Sequence, residues 1–114
     1  MALHYNLSKV YAISDNDTEF AKQIVVLFTE EVPAEVKNIK DGLEEKDYNK
    51  VYSGAHKIKP TLDLLGMDLA YEDIVAIELW TKAEGKKKEI KDVVKNLQHL
   101  VKQTLKELKK DYSL

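Results

Sequence analysis

Apolar side chains recur every three or four positions along most of this 114-residue chain, the spacing of one buried face on an α-helix. A short helix is predicted over about residues 7–13, with Leu7, Val10 and Tyr11 facing inward. Asp15-Asn16-Asp17-Thr18 then breaks the pattern, and Asn16 followed by Glu19 has the form of an N-cap with its box partner. A long second helix runs to about residue 46 on Phe20, Ile24, Leu27, Phe28, Val32, Val36, Ile39 and Leu43. Pro33 lies inside it, removes a backbone donor, and should bend the helix or split it in two.

Asp47 suits the N-cap of a third helix, about residues 48–65, whose inward stripe is Val51, Ala55, Ile58, Leu62 and Leu65. Gly66 suits the left-handed residue that ends it, with Met67 placed to touch Leu62. A fourth helix is predicted over about residues 69–84, capped by Asp68 and ended by Gly85. Its inward positions are Ala70, Ile74, Ile77 and Thr81 or Trp80. A fifth, about residues 88–111, carries Ile90, Val94, Leu97, Val101, Thr104 and Leu108 at a 4-3-4-3-4 spacing. No strand-like alternation persists anywhere. The expected fold is all-α: an up-down-up-down four-helix bundle with a short N-terminal accessory helix over an end or a side. Residues 1–114 form a single domain with no linker or repeat. The bundle's own stripes can bury one another, so a monomer is expected.

Composition removes several function classes. Cysteine is absent, which excludes disulfides, thiolate chemistry and cysteine-based zinc sites. The first fifty residues hold six lysines and ten acids, and the remainder twelve lysines and ten acids. A net charge of −2 gives no general pull toward nucleic acid. Every cation is lysine, and without arginine the fork that reads base edges is missing. The longest apolar run, Ile24 to Phe28, is too short to span a bilayer, and the N-terminus lacks the pattern of a signal peptide. The expected setting is cytoplasmic, with no membrane and no nucleic-acid partner.

Of three histidines, His4 falls in an N-terminus expected to fray and His99 lies beside the fifth helix's stripe; neither has neighbours at metal-ligand spacing. His56 differs. With Val51 at zero on the helical wheel, His56 lies at about 140° and Lys59 at about 80°, with Tyr52 and Asp63 between them. His56 therefore points off the core, together with these three residues.

The string Ala55-His56-Lys57-Ile58-Lys59-Pro60-Thr61-Leu62-Asp63-Leu64-Leu65-Gly66 resembles the core motif of the histidine-phosphotransfer domains of two-component phosphorelays. His56, Ile58, Lys59, Leu65 and Gly66 match that motif in place, and the order of helices is similar across nearly the whole chain. Pro60 departs from the motif's usual glycine and Leu62 from a usually small residue. The resemblance implies that His56 accepts and donates a phosphoryl group in exchange with receiver-domain aspartates of response regulators or hybrid kinases. It implies that Lys59 stabilises phosphoryl charge. Tyr52, Lys57, Pro60, Asp63 and Leu64 are the candidate partner-binding residues, Leu64 being equally suited to the core. Pro60 removes the N–H that would bond the His56 carbonyl, and the resulting bend is expected to present the ring to the partner.

No phosphate-binding glycine loop and no acidic cluster are present. The expectation is a phosphocarrier rather than a kinase, with no cofactor and no metal of its own; Mg²⁺ is expected in the partner's receiver domain. A Met start and an end soon after the last helix favour a free-standing protein over a piece of a larger kinase. The alternative is a non-catalytic helical module that binds receiver domains without transfer. A further alternative lays the lysine-rich fifth helix on an anionic membrane or nucleic acid, although Glu89, Asp92, Glu107 and Asp111 interrupt its charge.

Overall fold

Five α-helices account for most of the chain in the computed structural model, which describes residues 4–114: α1 (Ser8–Ile13), α2 (Thr18–Glu45), α3 (Tyr48–Leu64), α4 (Asp68–Lys82) and α5 (Lys87–Asp111). No strand occurs among the described residues. Helix α2 packs on α3, α3 on α4, α4 on α5, and α5 back on α2. Their apolar faces meet in one core containing Phe28, Ile39, Ile58, Leu62, Ile74, Ile77, Leu97 and Leu108. All six stripe positions of α5 are buried.

The start of α2 corrects the predicted face. Ala21, Val25 and Phe28 are buried there, whereas Phe20 and Ile24 are half-buried and Leu27 is 42% exposed. Five consecutive apolar residues, Ile24 to Phe28, leave spacing alone unable to select a face. Neither Pro33 nor Pro60 splits its helix.

Side chains and turns set the helix ends. Asp17, rather than Asn16, caps α2: its carboxylate accepts from the backbone N–H groups of Glu19 at 3.0 Å and Phe20 at 3.1 Å. An N-cap needs extended backbone, which Asp17 has, whereas Asn16 is left-handed at φ 64°. Asp47 caps α3 by accepting from Lys50 N–H at 3.1 Å. Asp68 is the first residue of α4 and makes no side-chain cap; its carboxylate instead sits at the positive end of the helix.

Helices α2, α3 and α4 all end in the paired 6→1 and 5→2 bonds of a Schellman turn. For α3 these are Met67 N–H to Leu62 O at 3.0 Å and Gly66 N–H to Asp63 O at 3.0 Å. Gly66 has φ 62° as predicted, and a Cβ there would also lie 2.9 Å from the Cβ of Asn6. At the end of α4 the left-handed residue is Glu84, φ 50°, and not Gly85. Gly85 is required for another reason: a Cβ would meet Cδ1 of Trp80 at 2.4 Å.

Residues 4–6, where fraying is expected, are docked. The His4 backbone N–H donates to Glu107 Oε1 at 3.1 Å, and the His4 ring pairs with the same carboxylate. Tyr5 donates its hydroxyl to Asp111 at 2.7 Å, and Asn6 N–H reaches Leu65 O at 2.7 Å. The segment thus crosses the α3–α4 turn and places α1 against α2. No helix among the described residues is long and apolar enough to cross a membrane.

Candidate functional site

Helix α3 divides its residues cleanly between two faces. Val51, Ala55, Ile58 and Leu62 are buried, while His56 stands on the other side with 64% of its side chain exposed. One turn back, the half-buried Tyr52 stacks on the imidazole, with centroids 5.4 Å apart and planes 12° from parallel. One turn on, Lys59 leans toward α4, where Glu78 meets both groups. The His56 Nδ1 is 3.1 Å from Glu78 Oε2, and Lys59 Nζ donates to Glu78 Oε1 at 2.9 Å.

Glu78 is 6% exposed. Burial pushes its carboxyl up, but the hydrogen bonds and charges of Lys59 and His56 outweigh that and hold it below the ordinary carboxylate value. The hydrogen bond to Glu78 raises the Lys59 ammonium in turn, against a smaller desolvation effect. A buried carboxylate without such partners would be strongly unfavourable.

An ionised carboxylate only accepts hydrogen bonds. The Nδ1 facing Glu78 must therefore carry the proton. In the neutral ring the lone pair is then left on Nε2. The fold thus provides an exposed imidazole nitrogen whose tautomer is biased by a buried acid and which an ammonium flanks.

A shallow cavity of about 180 Å³ opens beside the ring, lined by His56, Lys59, Pro60, Asp63 and Tyr71. Asp63 is exposed there and pairs with Lys9 of α1 at 2.6 Å. The Lys82 ammonium lies over the Tyr52 ring, 5.8 Å from its centroid. The structure therefore gathers His56, Lys59, Tyr52, Pro60 and Asp63. It does not gather Lys57, which turns to α2 and pairs with Glu35 at 2.9 Å; that hydrogen bond raises the Lys57 ammonium. Nor does it gather Leu64, which is half-buried and outside the cavity.

Sequence reasoning missed Glu78, Tyr71 and Lys82. One signal was present for Glu78: it is the lone acid in the run Ile74-Val75-Ala76-Ile77-Glu78-Leu79-Trp80, one turn beyond the buried Ile74. Among the described residues no group of three or more His, Cys, Asp or Glu side chains is placed to hold a metal ion. The chain matches no family model, no curated protein and no solved structure.

Proposed function

We propose that this chain is a histidine-phosphotransfer domain, a phosphorelay intermediate that accepts and donates a phosphoryl group on His56. The observation that carries the reading is the His56–Glu78–Lys59 constellation: an exposed imidazole whose Nδ1 is held by a buried carboxylate that also holds a lysine one turn on. The motif around His56 and its position on the second long helix add support. Connections of two, three and four residues between successive long helices favour antiparallel neighbours, hence an up-down-up-down bundle.

In this reading the Nε2 lone pair attacks the phosphorus of an acyl phosphate on a receiver domain. The P–N bond forms as the P–O bond breaks, and the receiver aspartate leaves as carboxylate. The ring then carries positive charge, which the Glu78 carboxylate stabilises through Nδ1–H. Transfer of this kind rests on positioning and on positive charge around the moving oxygens. Lys59 can exchange one Glu78 oxygen for a phosphoryl oxygen, since its three N–H donors are not all used. The partner brings the aspartate and its Mg²⁺, and the chain brings a pre-aimed nucleophile. A cytoplasmic monomer whose partners are response regulators or hybrid kinases fits this role.

The test is phosphorylation by an acetyl-phosphate-charged receiver or by a hybrid kinase, on wild type and on His56→Gln. An acid-labile, base-stable label on the wild type alone is the expected result. Absence of label from several donors, on protein that retains its helical fold, refutes transfer and leaves a receiver-binding module.

A further inference from the structure

At the end of the molecule formed by the α2–α3 and α4–α5 turns lies a second concavity, about 440 Å³, lined by Leu43, Lys46, Tyr48, Trp80, Glu84, Gly85 and Lys86 to Lys88. Its floor is aromatic. Tyr48 and Trp80 pack with centroids 5.1 Å apart. Both spend their polar atoms on backbone carbonyls of the α4–α5 turn, Tyr48 donating to Gly85 O at 2.8 Å and Trp80 Nε1 to Lys86 O at 2.9 Å. The ring surfaces left at the mouth are therefore apolar.

The rim is cationic and unmatched. Lys9, Lys50, Lys57 and Lys59 each have an acidic partner. Among the described residues, none of the side chains of Lys46, Lys86, Lys87 and Lys88 takes part in an ion pair or hydrogen bond; the acids nearby are Glu84, which lines the mouth, and Glu89, whose carboxylate is engaged in accepting from Lys86 N–H at 2.6 Å. A concave site of this size falls in the usual range for ligand recognition, and an apolar floor within an unmatched charged rim is complementary to an apolar anchor flanked by opposite charges.

We infer that this groove binds an acidic peptide segment of a partner protein, one apolar side chain resting on Tyr48 and Trp80 and its carboxylates meeting the lysine rim. Three features select that occupant. Trp80 and Leu43 are recessed, 9% and 4% exposed, and so do not protrude for insertion into a lipid surface. Lys87 and Lys88 open α5 about 100° apart around its axis, and Lys86 precedes them as the extended N-cap residue, a spread that suits spaced carboxylates better than one compact polyphosphate. Glu84 at the mouth works against a continuous anionic strand such as nucleic acid. Tyr48 and His56 are two turns apart on α3, about 12 Å along its axis, so one partner can span both. The inference stands without phosphotransfer at His56.

Trp80 is the only tryptophan, so its fluorescence reports the groove directly. The probe is a short acidic peptide carrying one leucine, with a version in which lysines replace the acids as control. Saturable change with the acidic peptide alone is expected, weakening as salt is added. The variant Lys86→Glu/Lys87→Glu/Lys88→Glu should bind at least about tenfold more weakly, a loss of about 1.4 kcal/mol; Lys46→Glu, on a different turn, should weaken binding in the same direction. No response up to millimolar peptide, an equal response to the control, undiminished binding by both variants, or a response only to anionic vesicles or an oligonucleotide would overturn the inference.

Discussion

Replacing Glu78 with leucine removes the acceptor that orients His56 and leaves an apolar side chain in a nearly dry position. Hydrogen bonds to charged groups contribute about 1.5–3 kcal/mol. The imidazole is 64% exposed, so water competes for Nδ1–H and about 1 kcal/mol is the fitting magnitude. That corresponds to about a fivefold change in the ratio of the two neutral tautomers. Nitrogen-15 NMR of the ring nitrogens at about pH 8.5, where an ordinary imidazole is neutral, separates the two forms. In the wild type the Nδ1–H form, read from an unprotonated Nε2 signal, should be enriched. In Glu78→Leu the Nδ1–H form should lose about fivefold relative to the other. The exposed His99 serves as an internal reference, and circular dichroism checks that the helices persist. If the two proteins give the same His56 signals, or if Glu78→Leu enriches the Nδ1–H form instead, the buried carboxylate does not set the tautomer.

Two further outcomes follow from the same packing. Glu78 is held below its ordinary value of 4.5, so its stabilising contribution is complete above that value and is lost as pH falls through the lower folded value; urea titrations from about pH 6 to about pH 3 should therefore show a shallower acid loss for Glu78→Gln than for the wild type, and equal slopes would contradict it. Gly85→Ala puts a Cβ 2.4 Å from Trp80 Cδ1 and 2.5 Å from Nε1, which should cost about 1–3 kcal/mol by overpacking and lower the urea midpoint; an unchanged midpoint would show that the indole can move aside freely.

The helices were legible because the burial pattern and the end signals agreed over most of the chain. On α5 polar residues separate the apolar ones, so one face is singled out, and all six predicted positions are buried. On α2 the apolar run Ile24 to Phe28 fits two adjacent faces equally, and packing against α3 and α5 chose the one with Val25. The helix ends were misjudged where a polar residue took a left-handed conformation. Asn16 and Glu84 occupy such positions at φ 64° and 50°. Asn16 has a residue type that suits an N-cap but not the extended backbone that one needs; Glu84 escapes a rule that waits for glycine, because the bonds from Gly85 N–H to Trp80 O and from Glu84 N–H to Thr81 O can offset the unfavourable backbone of a non-glycine residue.

The candidate site was only half legible, for a reason rooted in geometry. His56, Lys59, Tyr52, Pro60 and Asp63 lie on one helix, and helical periodicity alone predicts that they share a face. Glu78 comes from α4, twenty-two residues beyond His56, and only the packing of α4 on α3 brings it there. Periodicity gave Ala70, Ile74, Ile77 and Thr81 or Trp80 as the inward positions of α4 and passed over Glu78, and it offers no partner for that charge. The partner could still be sought on physical grounds, since a carboxylate in a nearly dry position must be paired or neutral. The nearest supply of donors on the facing helix is the pair of groups already singled out on α3, and one carboxylate has two oxygens to divide between them. The buried acid, which looks like a flaw in an apolar run, is the feature that joins the exposed histidine to its lysine.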